Sequence, residues 1–184
     1  MGSKLKLYLD KLINPLIIIL IAATLRLVPH PPNFAPIAAM ALFGGVYLNR
    51  GYALAVPIIA LFISDLVIGF YSPVVMVSVY GSFILTGLIG LWLRRRKSPR
   101  NVILAALGSS VLFFIVTNFA VWLGGWYPRN AAGLLDCYTL ALPFFRNTIA
   151  GDLFYTGAFF GCYELFLSLV NKPSPASQGD ALRS

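Results

Sequence analysis

Five ionisable side chains interrupt the long apolar stretches of this sequence: Arg26, Asp65, Arg146, Asp152 and Glu164. In the centre of a membrane helix such a side chain costs about 2.5–3.5 kcal/mol on insertion scales, so it needs a partner or a function. Carboxylates and guanidinium groups in that setting form ion pairs, bind polar ligands or relay protons. Their chemistry therefore depends on which helices carry them and on where those helices meet.

Recognisable catalytic motifs are missing from the sequence. The one histidine, His30, excludes sites built on paired histidines, and in its proline-rich segment it is better explained as a loop residue than as a metal ligand. There is no nucleophile elbow and no phosphate-binding glycine loop. Cys137 and Cys162 are 25 positions apart, which is not metal-ligand spacing. We predict no metal and no cofactor, and an enzyme that uses Asp65 or Asp152 as acid or base stays an alternative.

The composition indicates an integral membrane protein. Of the 184 residues, 59% are hydrophobic and only 11% are charged, whereas soluble domains carry roughly 25% charged residues. The net charge of +8 lies mainly between apolar runs, as in the basic run Arg94–Lys97. Basic loops of this kind contact anionic lipid head groups. Membrane lipid is therefore an expected partner, and nucleic acid is not.

Six apolar segments approach the roughly 20 residues that a helix needs to cross a bilayer. Prolines and polar breaks separate them, and the first segment is interpreted as a retained helix, not a cleaved signal peptide. The predicted fold is an all-α membrane protein, a bundle of about six transmembrane helices in one domain over residues 1–171, with a disordered cytoplasmic tail over 172–184. The predicted helices are Leu12–Val28, Pro36–Leu48, Tyr52–Phe70, Pro73–Leu93, Val102–Leu123 and Thr148–Val170.

The connection between the fifth and sixth helices is long enough to hold structure of its own. Within it, Ala131–Phe145 carries apolar residues at helical spacing. Trp126 and Tyr127 precede this stretch and are residues that anchor segments at a membrane interface. We predict a short amphipathic or re-entrant helix on the outer face.

The distribution of basic residues predicts the orientation. If the N-terminus is cytoplasmic, eleven of the fourteen lysines and arginines lie on the cytoplasmic side. The prediction is a multi-pass membrane protein with both termini in the cytoplasm.

In that orientation, polar residues of separate helices converge at the outer end of the bundle. Helix N-termini, with their partial positive charge, point at the same region. Polar groups and aromatic rings gathered there would form a ligand pocket, in which arginines meet any carboxylate or phosphate of the ligand. The predicted substrate-binding residues are Arg26, Asn33, Asp65, Asn118, Trp122, Arg129, Arg146 and Asp152.

Structural roles for the same residues stay open. Arg26 could extend to the outer head groups, and Asn118 could form a hydrogen bond between helices. Asp65 could pair with Arg26 or Arg146, and Asp152 with Arg146. Such ion pairs would hold the bundle together without binding a ligand.

Several stretches resemble an uncharacterised family of bacterial inner-membrane proteins that are described only as candidate transport proteins. The likeness extends through nearly the whole chain from Arg26 to Glu164. It is carried by Arg26–Gly45, Ser64-Asp65, Thr117–Phe119, Trp126–Arg129 and Pro143–Asp152.

More distantly, the layout is similar to the substrate-binding S components of energy-coupling factor vitamin transporters. Those proteins have six helices and bind a vitamin or metal ion from the outside through the loops after helices 1, 3 and 5. The resemblance implies a binding face formed by residues 29–35, 71–73 and 124–147, with energising transporter subunits as partners. S components commonly dock those subunits through an Ala-x-x-x-Ala stripe on helix 1, where this chain has only Ala22-Ala23. A solitary transporter is therefore the alternative.

Taken together, these features predict a substrate-binding membrane subunit or a small solitary transporter for a vitamin-like small molecule, bound from the outer side. A membrane scaffold or assembly subunit is the alternative, in which the polar residues only tie helices together. A membrane enzyme that modifies a lipid or cofactor is less favoured.

Overall fold

The computed structural model describes residues 15–170, and of Leu16 and Val170 the backbone alone. Within this range the chain forms six α-helices and no strand, which confirms the predicted all-α class for these residues. The predicted start of the first helix at Leu12 and the predicted tail over 172–184 lie outside the described residues. The helices are α1 Pro15–Leu25, α2 Ile37–Tyr47, α3 Ala55–Ile68, α4 Pro73–Leu93, α5 Pro99–Leu123 and α6 Ala131–Val170.

Two of the helices in the described range, α4 and α5, are long and apolar enough to cross a membrane. The 21 residues of α4 rise about 31 Å at 1.5 Å per residue. Its bounds are the predicted ones, because Pro73 starts the helix and the basic run Arg94–Lys97 follows its end. α5 begins three residues earlier than predicted, because Ser98 caps it by accepting a hydrogen bond from the Asn101 amide at 3.2 Å.

Helices α2 and α3 are shorter than a full membrane crossing. α2 has 11 residues, which rise about 16 Å, and α3 has 14, so length alone makes neither a spanning helix. In the predicted third helix, Tyr52–Phe70, Pro57 would lie beyond the first turn, where a proline kinks a helix. Since α3 starts at Ala55, Pro57 instead lies in its first turn, where a proline replaces no intrahelical hydrogen bond.

The segment after α5 differs from the prediction of a separate outer helix followed by a sixth helix. Residues Ala131–Val170 form one continuous helix of 40 residues. Asn130 supports its start by accepting the Gly133 amide hydrogen bond through Oδ1 at 2.8 Å. Pro143 lies inside the helix, where it removes one backbone donor and leaves the other turns to continue. The predicted break between Phe145 and Thr148 is therefore wrong, because the helix continues through both this proline and residues 146–147.

The short helix α2 is the centre of the fold. Every residue from Ile37 to Val46 is buried, and α2 packs against all five other helices, most extensively against α4. The approach to α4 is close, because a Cβ on Gly45 would lie 2.6 Å from the Gly87 carbonyl oxygen. A Cβ on Gly90 would lie 2.6 Å from the carbonyl oxygen of Leu42. Small residues at this crossing let the two backbones touch.

Large apolar side chains point away from this small-residue core. Val77 on α4 is 73% exposed and Val67 on α3 is 69% exposed. Similar residues form exposed apolar faces along α3, α4 and α5. They include Ile59, Ile63, Leu66, Leu85, Leu88, Trp92, Ile103, Leu104, Ile115 and Phe119.

Substituting Gly90 by alanine tests the α2–α4 crossing. The new Cβ would collide with the α2 backbone, so we expect Gly90→Ala to lower stability by about 1–3 kcal/mol. Gly81→Ala on the same helix is the matched control, because nothing lies within 4 Å of its Cβ position. Thermal unfolding of the purified proteins by circular dichroism should show a lower Tm for Gly90→Ala alone. Equal Tm values would contradict the close packing.

Candidate functional site

A cavity of about 490 Å³ lies at the end of the bundle where α1 ends and α2 begins. Its wall combines the α1–α2 loop with residues from α2, α4, α5, α6 and the α3–α4 loop. Most of the lining is apolar. The polar and aromatic lining residues are Arg26, His30, Asn33, Tyr71, Phe83, Phe113, Thr148 and Asp152.

Arg26 lines this cavity and is held by the end of α3. Its Nη2 lies 2.6 Å from Oδ1 of Asp65, whose side chain is fully buried. Its Nη1 donates a hydrogen bond to the Ser64 hydroxyl. The prediction left open whether Asp65 pairs with Arg26, and the structure forms this ion pair. Asp65 itself is behind the cavity wall.

Two tyrosines complete the surroundings of Asp65. The Tyr80 hydroxyl on α4 donates a hydrogen bond to Asp65 Oδ2 at 2.6 Å. Tyr71, in the α3–α4 loop, lines the cavity. Burial and the Asp65 carboxylate raise the pKa of Tyr71 to about 12, against a smaller lowering effect of Arg26, so its phenol is protonated at neutral pH. Four segments of the chain thus meet around one carboxylate.

Asp152 lines the same cavity from α6 and is 4% exposed. Its Oδ2 accepts a hydrogen bond from the Ser110 hydroxyl of α5 at 2.6 Å. Among residues 15–170, no basic side chain lies within ion-pair distance of this carboxylate. Arg146, the predicted alternative partner, is exposed.

The α1–α2 loop is fixed against α6. Asn147 donates a side-chain hydrogen bond to the Pro32 carbonyl at 3.1 Å. Phe34 packs against Tyr155, with ring centroids 5.5 Å apart. Asn33 has φ of 63°, a left-handed conformation that asparagine adopts more readily than most residues. The loop therefore forms a defined rim that carries Asn33 and His30 to the cavity.

A second, smaller cavity of about 230 Å³ lies beside the first. The two share Asn33, Val79, Phe113 and Thr148 in their walls, so they adjoin. Asn118 lines the second cavity, while its amide donates to the Phe114 carbonyl within α5 at 2.8 Å. Asn118 is thus near the Arg26 cavity but not on its wall.

Besides Asp65, three of the predicted site residues lie outside both cavities. The Trp122 indole donates to the Pro128 carbonyl at 3.0 Å, and Arg129 donates to the Leu123 carbonyl at 2.8 Å. These two bonds shape the turn between α5 and α6. Arg146 is exposed on α6. Of the predicted set, the structure brings Arg26, Asn33 and Asp152 together on one wall, with Asp65 behind it.

The opposite end of the bundle carries contacts that the sequence reading did not find. Glu164, for which no partner was evident, forms an ion pair with Lys97 and accepts a hydrogen bond from the Tyr47 hydroxyl. Arg94 donates to the carbonyls of Gly45, with Nη2 at 2.7 Å, and of Leu48. Charged groups therefore tie the end of α2 to α4 and α6.

Four other residues of the site were not predicted from the sequence. Ser110, Tyr80, Phe83 and Phe113 look like ordinary members of apolar helices, and only the Ser109-Ser110 pair marks a polar spot in the middle of predicted helix 5. Among the described residues, no group of three or more His, Cys, Asp or Glu is placed to hold a metal ion.

A comparison with protein families matches residues 8–175 to DUF6580, a family of unknown function. The chain belongs to this family. No curated protein and no solved structure is significantly similar to it. Membership therefore agrees with the predicted uncharacterised family and adds no activity, so the site of this DUF6580 member must be interpreted from its own residues.

Removing the Asp65 charge tests the buried ion pair. Asp65→Asn leaves Arg26 without a counter-charge, and we expect a loss of stability of about 3–5 kcal/mol. Removing both charges in Arg26→Met/Asp65→Asn should recover most of that loss, because neither partner then remains unpaired. The Tm values of the wild type, Asp65→Asn and the double variant, measured by thermal unfolding, test both expectations.

Asp136→Asn is the matched control for this cycle, since Asp136 is exposed on α6. A Tm for Asp65→Asn equal to that of the control would show that the pair does not hold Arg26. If Arg26→Met/Asp65→Asn were less stable than Asp65→Asn, this result would also contradict the ion pair.

Proposed function

We propose that this protein is a membrane transport protein that binds a small organic molecule in the Arg26 cavity and passes it across the bilayer. The observation that carries the proposal is the cavity itself, whose wall includes the buried Asp152 carboxylate as well as aromatic rings. Its volume of about 490 Å³ is within the range of roughly 300–1,000 Å³ typical of small-molecule sites. An ionisable group kept inside an apolar bundle marks a ligand or ion pathway by default.

The exposed surface supports placement in a membrane. Water-soluble monomers rarely expose contiguous apolar faces like those of α3, α4 and α5, whereas lipid stabilises them. The small-residue contact of α2 with α4 is the packing that membrane helices use in place of a hydrophobic core. In the proposed arrangement all six helices lie within the bilayer, and α2 is enclosed by its neighbours and so need not span it.

The proposed orientation places the cavity on the outer side and Arg94–Arg100 in the cytoplasm, following the excess of basic residues. The bonds of Arg94 and Lys97 then close the inner end of the bundle, while the α1–α2 loop borders an accessible outer cavity. The structure would thus represent the state that receives the ligand. Transport would require these inner contacts to separate.

The proposal also draws on the resemblance of the sequence layout to substrate-binding S components. The loops after α1 and α3 contribute to the cavity as they would in such a subunit, with His30 and Tyr71 on its wall. The missing Ala-x-x-x-Ala stripe on the first helix favours a protein that acts alone. We therefore propose a solitary transporter for a vitamin-like molecule, in preference to a subunit that requires an energising module.

Cysteine labelling tests the orientation. In a Cys137→Ala/Cys162→Ala background, a membrane-impermeant maleimide should label Ala131→Cys in intact spheroplasts. Arg100→Cys, on the other side, should be labelled only after permeabilisation. Both positions are exposed at the first turns of their helices. The reverse pattern would place the cavity on the cytoplasmic side of the membrane. Labelling of both positions in intact spheroplasts would refute the proposed membrane placement.

Filling the cavity tests small-molecule binding. Native mass spectrometry of the purified protein should detect a co-purified small molecule, and Val79→Trp should abolish it because Val79 lines both cavities. Val77→Trp is the matched control on the same helix, since Val77 points outward and is 73% exposed. Absence of any bound molecule from the wild type, or equal retention by both variants, would contradict the proposal.

A further inference from the structure

The charges around the cavity are unevenly matched. Arg26 lines the cavity with its guanidinium already engaged, since Nη2 contacts Asp65 and Nη1 contacts Ser64. The other two predicted cations, Arg129 and Arg146, line neither cavity. The arginines are therefore poorly placed to receive a ligand's carboxylate or phosphate, which was the role expected of them.

Asp152 is in the opposite situation. It is 4% exposed, and among residues 15–170 its one hydrogen bond comes from Ser110, an uncharged donor. Arg146 precedes it by six positions, which is about 240° around a helix, so the two side chains project from different faces of α6. Within the described residues, Asp152 is therefore a desolvated carboxylate that lines a cavity and has no cationic partner.

The cavity wall near Asp152 supplies a second feature suited to a cation. Phe83 and Phe113 both line the cavity and stack with ring centroids 5.4 Å apart. Aromatic faces attract cations through their quadrupole, most strongly where water is excluded. The remaining titratable groups on the wall are neutral or occupied: the Tyr71 phenol is protonated, and His30 Nδ1 lies 3.0 Å from the Pro31 carbonyl.

We propose that the ligand of this cavity carries a positively charged nitrogen, which binds Asp152, on an aromatic or apolar body that packs against Phe83 and Phe113. This assignment rests on the proposed function and names its substrate class: an organic ammonium or a protonated heterocycle, in contrast to a carboxylate or phosphate. Asp152 and the ligand nitrogen neutralise each other, while Asp65 keeps Arg26 from repelling the cation. Ser110 positions the carboxylate through its hydrogen bond.

Three probes of nearly equal size and different charge test the assignment: tryptamine, 3-ethylindole and indole-3-propionate. Binding to the full-length protein in nanodiscs is measured by equilibrium dialysis at neutral pH. We expect tryptamine to bind at least about tenfold more tightly than either other probe, the margin of one charge-assisted hydrogen bond. Asp152→Asn should remove that preference.

Matched variants separate the charge of Asp152 from its effect on folding. Asp136→Asn makes the same chemical change at an exposed site of the same helix, and it should leave all three affinities unchanged. Ser110→Ala keeps the carboxylate but removes the hydrogen bond that positions it, so it should weaken tryptamine binding less than Asp152→Asn does. The Tm of each unliganded variant reports whether the fold is intact.

Three results would overturn the assignment. Tighter binding of indole-3-propionate than of tryptamine would leave a small-molecule site in place and show only that its charge preference is wrong. Unchanged tryptamine affinity in Asp152→Asn would show that the cation binds elsewhere. Failure of every probe to bind would overturn the assignment, and the co-purified molecule detected by mass spectrometry would then report separately whether the cavity binds anything.

Discussion

A positive charge inside an apolar bundle must be neutralised, and the Arg26–Asp65 ion pair does this where three helices converge. Arg26 at the end of α1 reaches Asp65 on α3, and Tyr80 on α4 donates to the same carboxylate. The desolvation of both charges is costly, so the pair persists only because its geometry and additional hydrogen bonds compensate. By fixing the end of α1, it also fixes the start of the α1–α2 loop and with it the rim of the cavity.

The positions of most helices were predictable, because apolar runs and prolines mark helix limits locally. The bounds of α4 follow from Pro73 and the basic run after Leu93. The continuity of α6 did not follow, since a proline within a helix and a proline between helices leave the same local signal, and only packing against α5 distinguishes them. The Tyr138 hydroxyl donates to the Ile115 carbonyl at 2.6 Å, and Phe145 stacks on Phe114, so both sides of Pro143 are held against one neighbour.

The candidate site was predictable only in part, because the sequence gives the position of a residue along its helix but not the direction in which its side chain points. Position along each helix gives depth, and depth alone grouped Arg26, Asp65, Arg146 and Asp152. Rotation about each helix axis decides which side chains face inward, and in membrane helices without a strong polar face the sequence specifies it weakly. Arg146 and Asp152 are six positions apart on one helix, yet Arg146 is exposed and Asp152 is buried. Partners such as Ser110 and Tyr80 depend on two rotations at once, so no pattern in a single segment indicates them.

The balance of charge then connects this architecture to function. Had Arg26 faced the cavity without Asp65, the site would favour anions, as the number of arginines in the sequence suggests. Because the ion pair removes that charge and leaves Asp152 with only a hydroxyl donor, the electrostatic preference of the cavity is reversed. The same reasoning applies to the opposite end of the bundle, where α2 ends. There, Glu164 already pairs with Lys97 and accepts a hydrogen bond from Tyr47, so this carboxylate has a cationic partner within the protein. Asp152 and Glu164 lie on the same helix and differ in their partners. Glu164 pairs with a lysine, whereas Asp152 has only the Ser110 hydroxyl among the described residues.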